Sequence, residues 1–229
     1  MLCEIISDTV AITSDTLVVY VDYKEIHRKI SVGDQVAISL NGTDYAFDVI
    51  GFNHDHLSSP SAYSKITATT RAGITFQMHD CFATTYVMNS SNTNIGGWKS
   101  SLMRTSTMPL MKGYMPSAWQ SVIKAVDKAS GTGGGSSSGT ETVSDSCFLL
   151  AEIEIFGSTT HSVSGEGTQY AYYKAGNSKV KNRSGSAGYW WERSPGSGGS
   201  DYFCCVDSDG DANGNGAGDS FGVAFGFCI

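Results

Sequence analysis

Five small groups of residues in this chain of 229 could do chemistry. Asp207-Ser208-Asp209-Gly210-Asp211-Ala212-Asn213 sets oxygen donors at alternate positions, as an EF-hand loop does around calcium. It departs from that loop at its sixth position, Ala212 where glycine is needed, and at its twelfth, Gly218 where a bidentate glutamate is needed. His54-Asp55-His56, with His79-Asp80, could gather imidazoles for a transition metal, because an H-x-H on a strand projects both rings from one face. The competing reading has His54 bonding to backbone near a strand end. Cys204, Cys205 and Cys228 are the candidates for a reactive thiol. Glu152 and Glu154 read as alternate positions of a strand, AEIEIF, with both carboxylates facing solvent. Trp190 and Trp191 could stack on a sugar; on a strand one would face outward and the other would be core. There is no GxSxG, P-loop, HExxH or GxGxxG, and no convergent acid, base and nucleophile. The expectation is no catalytic residue, no metal ligand and no cofactor.

Composition narrows the partners. The formal net charge is −7, and no Lys/Arg cluster exceeds the patch over 179–183. A nucleic-acid groove needs a basic footprint, so nucleic acid is excluded. No apolar run approaches the ~18 residues needed to span a bilayer. The first residues, MLCEIISDTV, lack the basic and apolar regions of a secretory signal. The six cysteines follow no CxxC spacing and fit a reduced state, most of them buried.

The elements that must position these groups are mostly strands. Leu17–Tyr23 is rich in β-branched and aromatic residues. QVAISL and TDYAFDVIGF flank Asn41-Gly42, a type I′ hairpin signature that puts Val36, Ile38 and Leu40 on one face and Tyr45, Phe47 and Val49 on one face of the partner. Residues 1–30 read as a separate N-terminal β segment, joined through Ser31–Asp34 to a domain over 31–229. One helix is expected from Ser117, its cap, through Trp119, Val122, Ile123 and Val126 to a stop at Gly131, and a shorter one over Ser100–Ser106. Residues 130–146 have linker composition and read as a mobile loop. CFLLAEIEIF after it reads as a strand.

The C-terminal text holds two blocks, WWERSP (190–195) and GVAFGF (222–227), around a Gly/Asp/Ser/Asn-rich run. Residues 196–221 contain no Lys, Glu, Gln, Met or Trp, the types that no pyrimidine-ending codon encodes. These blocks, with VGDQVAISLNGTDYAFDVIGFNHD, NIGGW and FLLAEIEIFG upstream, resemble a large family of bacterial and phage domains, over roughly residues 31–229. Several of its members are variable proteins of diversity-generating retroelements, in which adenines of AAC/AAT codons are randomised.

The resemblance implies an α+β, C-type-lectin-like fold of the type that also hosts formylglycine-generating enzymes. It implies a ligand-recognition protein of phage or bacterium that displays variable side chains for an unknown protein or carbohydrate ligand. Carried onto this sequence, the variable positions are Tyr189, Gly196, Gly198, Gly199, Asp201, Tyr202, Cys205, Asp207, Asp209, Asp211, Asn213, Asn215, Gly218, Asp219 and Phe221. The scaffold is Trp190, Trp191, Arg193, Pro195, Phe203, Val206, Val223, Phe225 and Phe227. The alternatives left open are a structural virion or surface module and a formylglycine-type enzyme, whose chemistry needs a reactive cysteine pair.

Overall fold

The structure, a computed structural model, describes residues 11–13, 16–21, 24–59, 70–135 and 139–229. It is broadly α+β, mostly sheet with short helices. Strands β1 (Ala11–Thr13), β2 (Thr16–Val21) and β3 (Lys24–Lys29) form a separate antiparallel sheet. Asp22 and Tyr23, the end of the strand expected there, lie outside the described residues.

The central sheet starts from the hairpin. β4 (Gln35–Leu40) pairs with β5 (Thr43–Phe52), Val36 opposite Phe47 and Ile38 opposite Tyr45. Asn41 and Gly42 both take positive φ, 50° and 83°, as a type I′ turn requires. β5 then pairs with β6 (Ile74–Met78), and β15 (Gly226–Cys228) enters between β6 and β9 (Cys147–Phe148). The end of the chain is thereby threaded into the sheet. Phe227 stacks on Phe76 at 5.3 Å and meets Phe47 edge-on at 5.6 Å, while Trp119 packs edge-on against both Phe76 and Phe227.

The helical expectations are partly corrected. α1 (Gly97–Ser100), a π-helical turn over Met103–Thr107 and α2 (Met108–Tyr114) replace the short helix over Ser100–Ser106. α3 spans only Ser117–Val122, is capped by Pro116 without a side-chain bond, and ends where Ile123 turns extended. Val126 belongs instead to β7 (Val126–Gly131), paired with β8 (Thr140–Asp145). Val126, Lys128 and Ser130 point inward and Asp127 outward, so period two wins over the apparent helical spacing. The supposed loop over 130–146 is therefore a hairpin whose connection covers 132–139, of which 136–138 lie outside the described residues. Only Cys147 and Phe148 of CFLLAEIEIF are strand; Glu152–Phe156 is helix α4, ended by Gly157 at φ 75°. A second short helix, α5, spans Ala171–Lys174.

Three strands close the chain: β12 (Trp190–Pro195), β13 (Tyr202–Val206) and β14 (Ala212–Gly216), antiparallel in that order. A small hairpin, β10 (Lys181–Arg183) with β11 (Ser186–Gly188), precedes them.

Candidate ligand-binding face

The β12–β13–β14 sheet is built from its middle strand outward. Cys205 lies opposite Trp191 on one side and Asn213 on the other. The Asn215 amide donates to its sulfur at 3.2 Å. The Phe221 ring packs on Trp191 at 4.8 Å and on Tyr189 at 5.1 Å. Tyr189 and Phe221, the two ends of the expected variable region, thus meet in space. Tyr86 joins them by a backbone bridge to Phe221, and its carbonyl accepts the Trp191 indole N–H at 2.8 Å. The result is a partly exposed patch of Tyr86, Tyr189 and Phe221 flanked by amides and carboxylates. Aromatic rings beside short polar groups are the composition of a recognition surface.

One buried side chain makes three bonds to the loop between β12 and β13, beside those of Ser197 and Tyr202. Asn94 is fully buried, and its amide N–H groups donate to the carbonyls of Gly196, Gly199 and Tyr202 at 3.1, 2.9 and 2.8 Å. Its Oδ1 accepts the Gly134 N–H at 2.8 Å, which ties in the β7–β8 connection. Every one of these partners is main chain, so the Asn94 clamp itself does not depend on the loop's side chains, although the Tyr202 hydroxyl also accepts the Gly198 N–H.

Of the expected variable positions, Gly198, Asp201, Asp209, Asp211, Gly218 and Asp219 are exposed. Tyr189, Gly199, Tyr202, Asp207, Asn213, Asn215 and Phe221 are half-buried. Gly196 and Cys205 are buried, so neither presents a side chain outward as expected; Asn215 lies on the Cys205 sulfur, and the Tyr202 ring covers Gly196. All the expected scaffold residues are buried.

The Asp-rich run forms an Asx turn. Asp207 Oδ1 accepts the N–H groups of Asp209 and Asp211 at 3.0 and 2.9 Å, and these bonds hold its carboxyl below the usual range. His54 and His56 do not converge: His54 is half-buried and stacks on Tyr170 at 3.9 Å, whereas His56 is exposed. His79 sits against Asp48, Nδ1 to Oδ2 2.9 Å, and lines a shallow pocket with Asp80 and Cys81.

Beneath the sheet lies a buried polar network that contradicts the solvent-facing reading of Glu152 and Glu154. Both are buried. Glu154 receives Arg193 on both oxygens, at 2.5 and 3.0 Å, and Lys128 at 2.7 Å. Burial pushes its carboxyl up, but the two cations outweigh it and the net shift is downward. Lys128 also lies 2.7 Å from Asp55, whose carboxylate takes further bonds from Thr75 and Tyr170. Among the described residues, His54, Asp55 and Glu154 form the metal-type grouping, but the cation lodged between the two carboxylates is the Lys128 ammonium.

Glu152 accepts the N–H groups of His161 and Ser162 and the Ser162 hydroxyl. Glu166 accepts the Ser194 and Ser130 hydroxyls and the Gly131 N–H. Glu192 has no hydrogen-bond partner on either oxygen. Burial, reinforced by the fields of Glu152 and Glu166, pushes its carboxyl well above the usual range.

Trp190 and Trp191 are both buried, because each face of β12 is covered. Trp190 donates to the Lys179 carbonyl at 3.0 Å. The cysteines at 81, 147, 204, 205 and 228 are free and buried. Burial raises every one of these thiols, to about 12 at Cys81, Cys147 and Cys205.

Sequence reasoning missed Asn94, Asp55, Lys128 and Tyr170 as organising residues. The available signals were the Asn of NIGGW, and a lysine inside an alternating run. The model of a family described as a domain of unknown function (DUF6273) matches residues 73–229. No curated protein and no solved structure matches the chain.

Proposed function

Because the chain belongs to the DUF6273 family, a domain of unknown function, its role must be argued from its own surface, and we propose that it is a ligand-recognition protein displaying a variable C-terminal face. The observation that carries this reading is the Asn94 clamp, which grips the 196–202 loop only through carbonyls and so is kept whatever side chains the loop carries. The meeting of Tyr189 with Phe221 adds an aromatic patch at the opposite end of β12. In this reading the fold is C-type-lectin-like. Variation arises by retroelement mutagenesis in a phage or bacterium, and the chain binds a protein or carbohydrate without catalysing a reaction. Buried thiols with raised pKa suit scaffold better than a reactive cysteine pair.

The test is sequencing of the locus and its flanks across a population. A template repeat differing at adenines, with substitutions concentrated at the positions named above, is the expected result. Substitutions scattered evenly over the chain, with no repeat, would sink the proposal.

A further inference from the structure

The Lys128 site has the makings of a self-formed covalent bond, and it stands apart from the ligand-binding reading. Leu57 bridges Val126 antiparallel, and the Asp127 N–H donates to the His56 carbonyl at 2.8 Å. This register sets Asp55 directly across from Lys128. Lys128 is 1% exposed, its Nζ 2.7 Å from Asp55 Oδ1 and 2.7 Å from Glu154 Oε1. The Phe148 ring roofs the ammonium at 4.2 Å and Tyr170 flanks it at 5.4 Å. Thr75 and Tyr170 donate to Asp55 at 2.6 and 2.9 Å, where they polarise the carboxyl. Amine, acceptor carboxyl and a second carboxyl are therefore in contact within the buried network.

We propose that Lys128 and Asp55 condense into an intramolecular isopeptide bond, with Glu154 as the proton carrier. One ammonium proton passes across the 2.7 Å contact to Asp55 Oδ1, giving a neutral amine and a neutral acid; burial favours this neutral pair, and the exchange works against the Lys128, His54 and Thr75 interactions that hold the Asp55 carboxyl below its usual range. The Nζ lone pair attacks Asp55 Cγ and forms the C–N bond. Glu154 Oε1 takes a proton from the nitrogen and delivers it to the departing hydroxyl, which leaves as water. The ammonium supplies both protons needed, so no oxidant or co-reactant enters. Contact geometry that replaces a bimolecular encounter lowers the barrier. The product would tie the segment after β5 to β7.

The experiment is mass spectrometry of the folded, aged full chain, intact and after tryptic digestion. The expected results are an intact mass lower by one water, absence of cleavage at Lys128, and a branched peptide joining the Asp55 and Lys128 segments. Glu154→Gln and Lys128→Arg should return to full mass. Recovery of the Asp55 and Lys128 peptides unlinked from the folded wild-type chain overturns the proposal, as does a water loss that maps elsewhere, such as to Asp209-Gly210. The wild-type digest decides the matter even where a variant does not fold.

Discussion

The ring of Tyr202 occupies the space that a side chain on Gly196 would need. A Cβ built on Gly196 overlaps the ring, and one on Gly214 would come within 2.7 Å of it. Both Gly196 and Tyr202 belong to the face proposed to vary, so their substitutions are coupled. Gly196→Ser alone should cost on the order of 1–3 kcal/mol through overpacking. Combined with Tyr202→Ser the cost should shrink, giving a coupling of about 1 kcal/mol or more in a double-mutant cycle by denaturant unfolding. Additive costs would show that the ring moves aside freely.

Asn94→Leu should remove the clamp on the 196–202 loop. Three carbonyls lose a donor, and the Gly134 N–H loses its acceptor. At roughly 1 kcal/mol per net hydrogen bond, the loss should reach about 2–4 kcal/mol. Hydrogen exchange should accelerate first over 196–202. Unchanged protection there would place the loop's restraint elsewhere.

Glu192 sets a pH dependence. Its folded-state pKa lies well above the unfolded value, so the folded chain holds a proton that the unfolded chain releases. The stability linked to that proton is fully present below about 4.5 and is lost as pH rises, by about 1.4 kcal/mol per pH unit until the folded pKa is reached. Glu192→Gln abolishes this slope. The Tm difference, variant minus wild type, should therefore grow more positive between pH 4 and pH 7; a flat difference would mean that the carboxyl finds a partner.

Arg193→Met should be more damaging than any surface change. It leaves Glu154 with Lys128 as its remaining cation and frees the carbonyls of Ala129, Leu149 and Glu166. Breaking one side of a buried pair costs about 3–5 kcal/mol, readable as a drop in denaturation midpoint.

The thiols at 81, 147, 204, 205 and 228 should resist iodoacetamide at pH 8 in the native chain and react together once it is unfolded. Burial and raised pKa both suppress the thiolate. Fast native labelling of Cys205 would show that Asn215 does not shield it.

The hairpin around Asn41-Gly42 was legible because local turn chemistry and alternation specify it without long-range help. The blocks at 190–195 and 222–227 were legible as buried for a different reason: apolar runs have to be covered. Glu152 and Glu154 were misjudged, and Lys128 was passed over, because a charged residue on an alternating pattern is ordinarily solvated. Only tertiary pairing, with Arg193 and Asp55 arriving from distant segments, reverses that rule. Val126 was drawn into a helical pattern because its strand partner, Asp145, lies beyond a glycine-rich stretch that local reading took for a linker. Asn94 carried no signal beyond its place in NIGGW, since its partners are carbonyls and carbonyls have no sequence.

The family match begins at Gly73, immediately ahead of β6, yet β5 is hydrogen-bonded along the flank of that strand and β4 lies beyond it. A recombinant fragment cut at Gly73 would carry β6 as a bare edge, with a row of unpaired N–H and C=O groups beside buried apolar side chains. Such an edge recruits whatever strand it meets, and size-exclusion chromatography of the fragment should find aggregates where a chain starting near Ser31 elutes as a discrete species. The sheet that completes β6 thus reaches further back along the chain than the piece by which kinship is recognised.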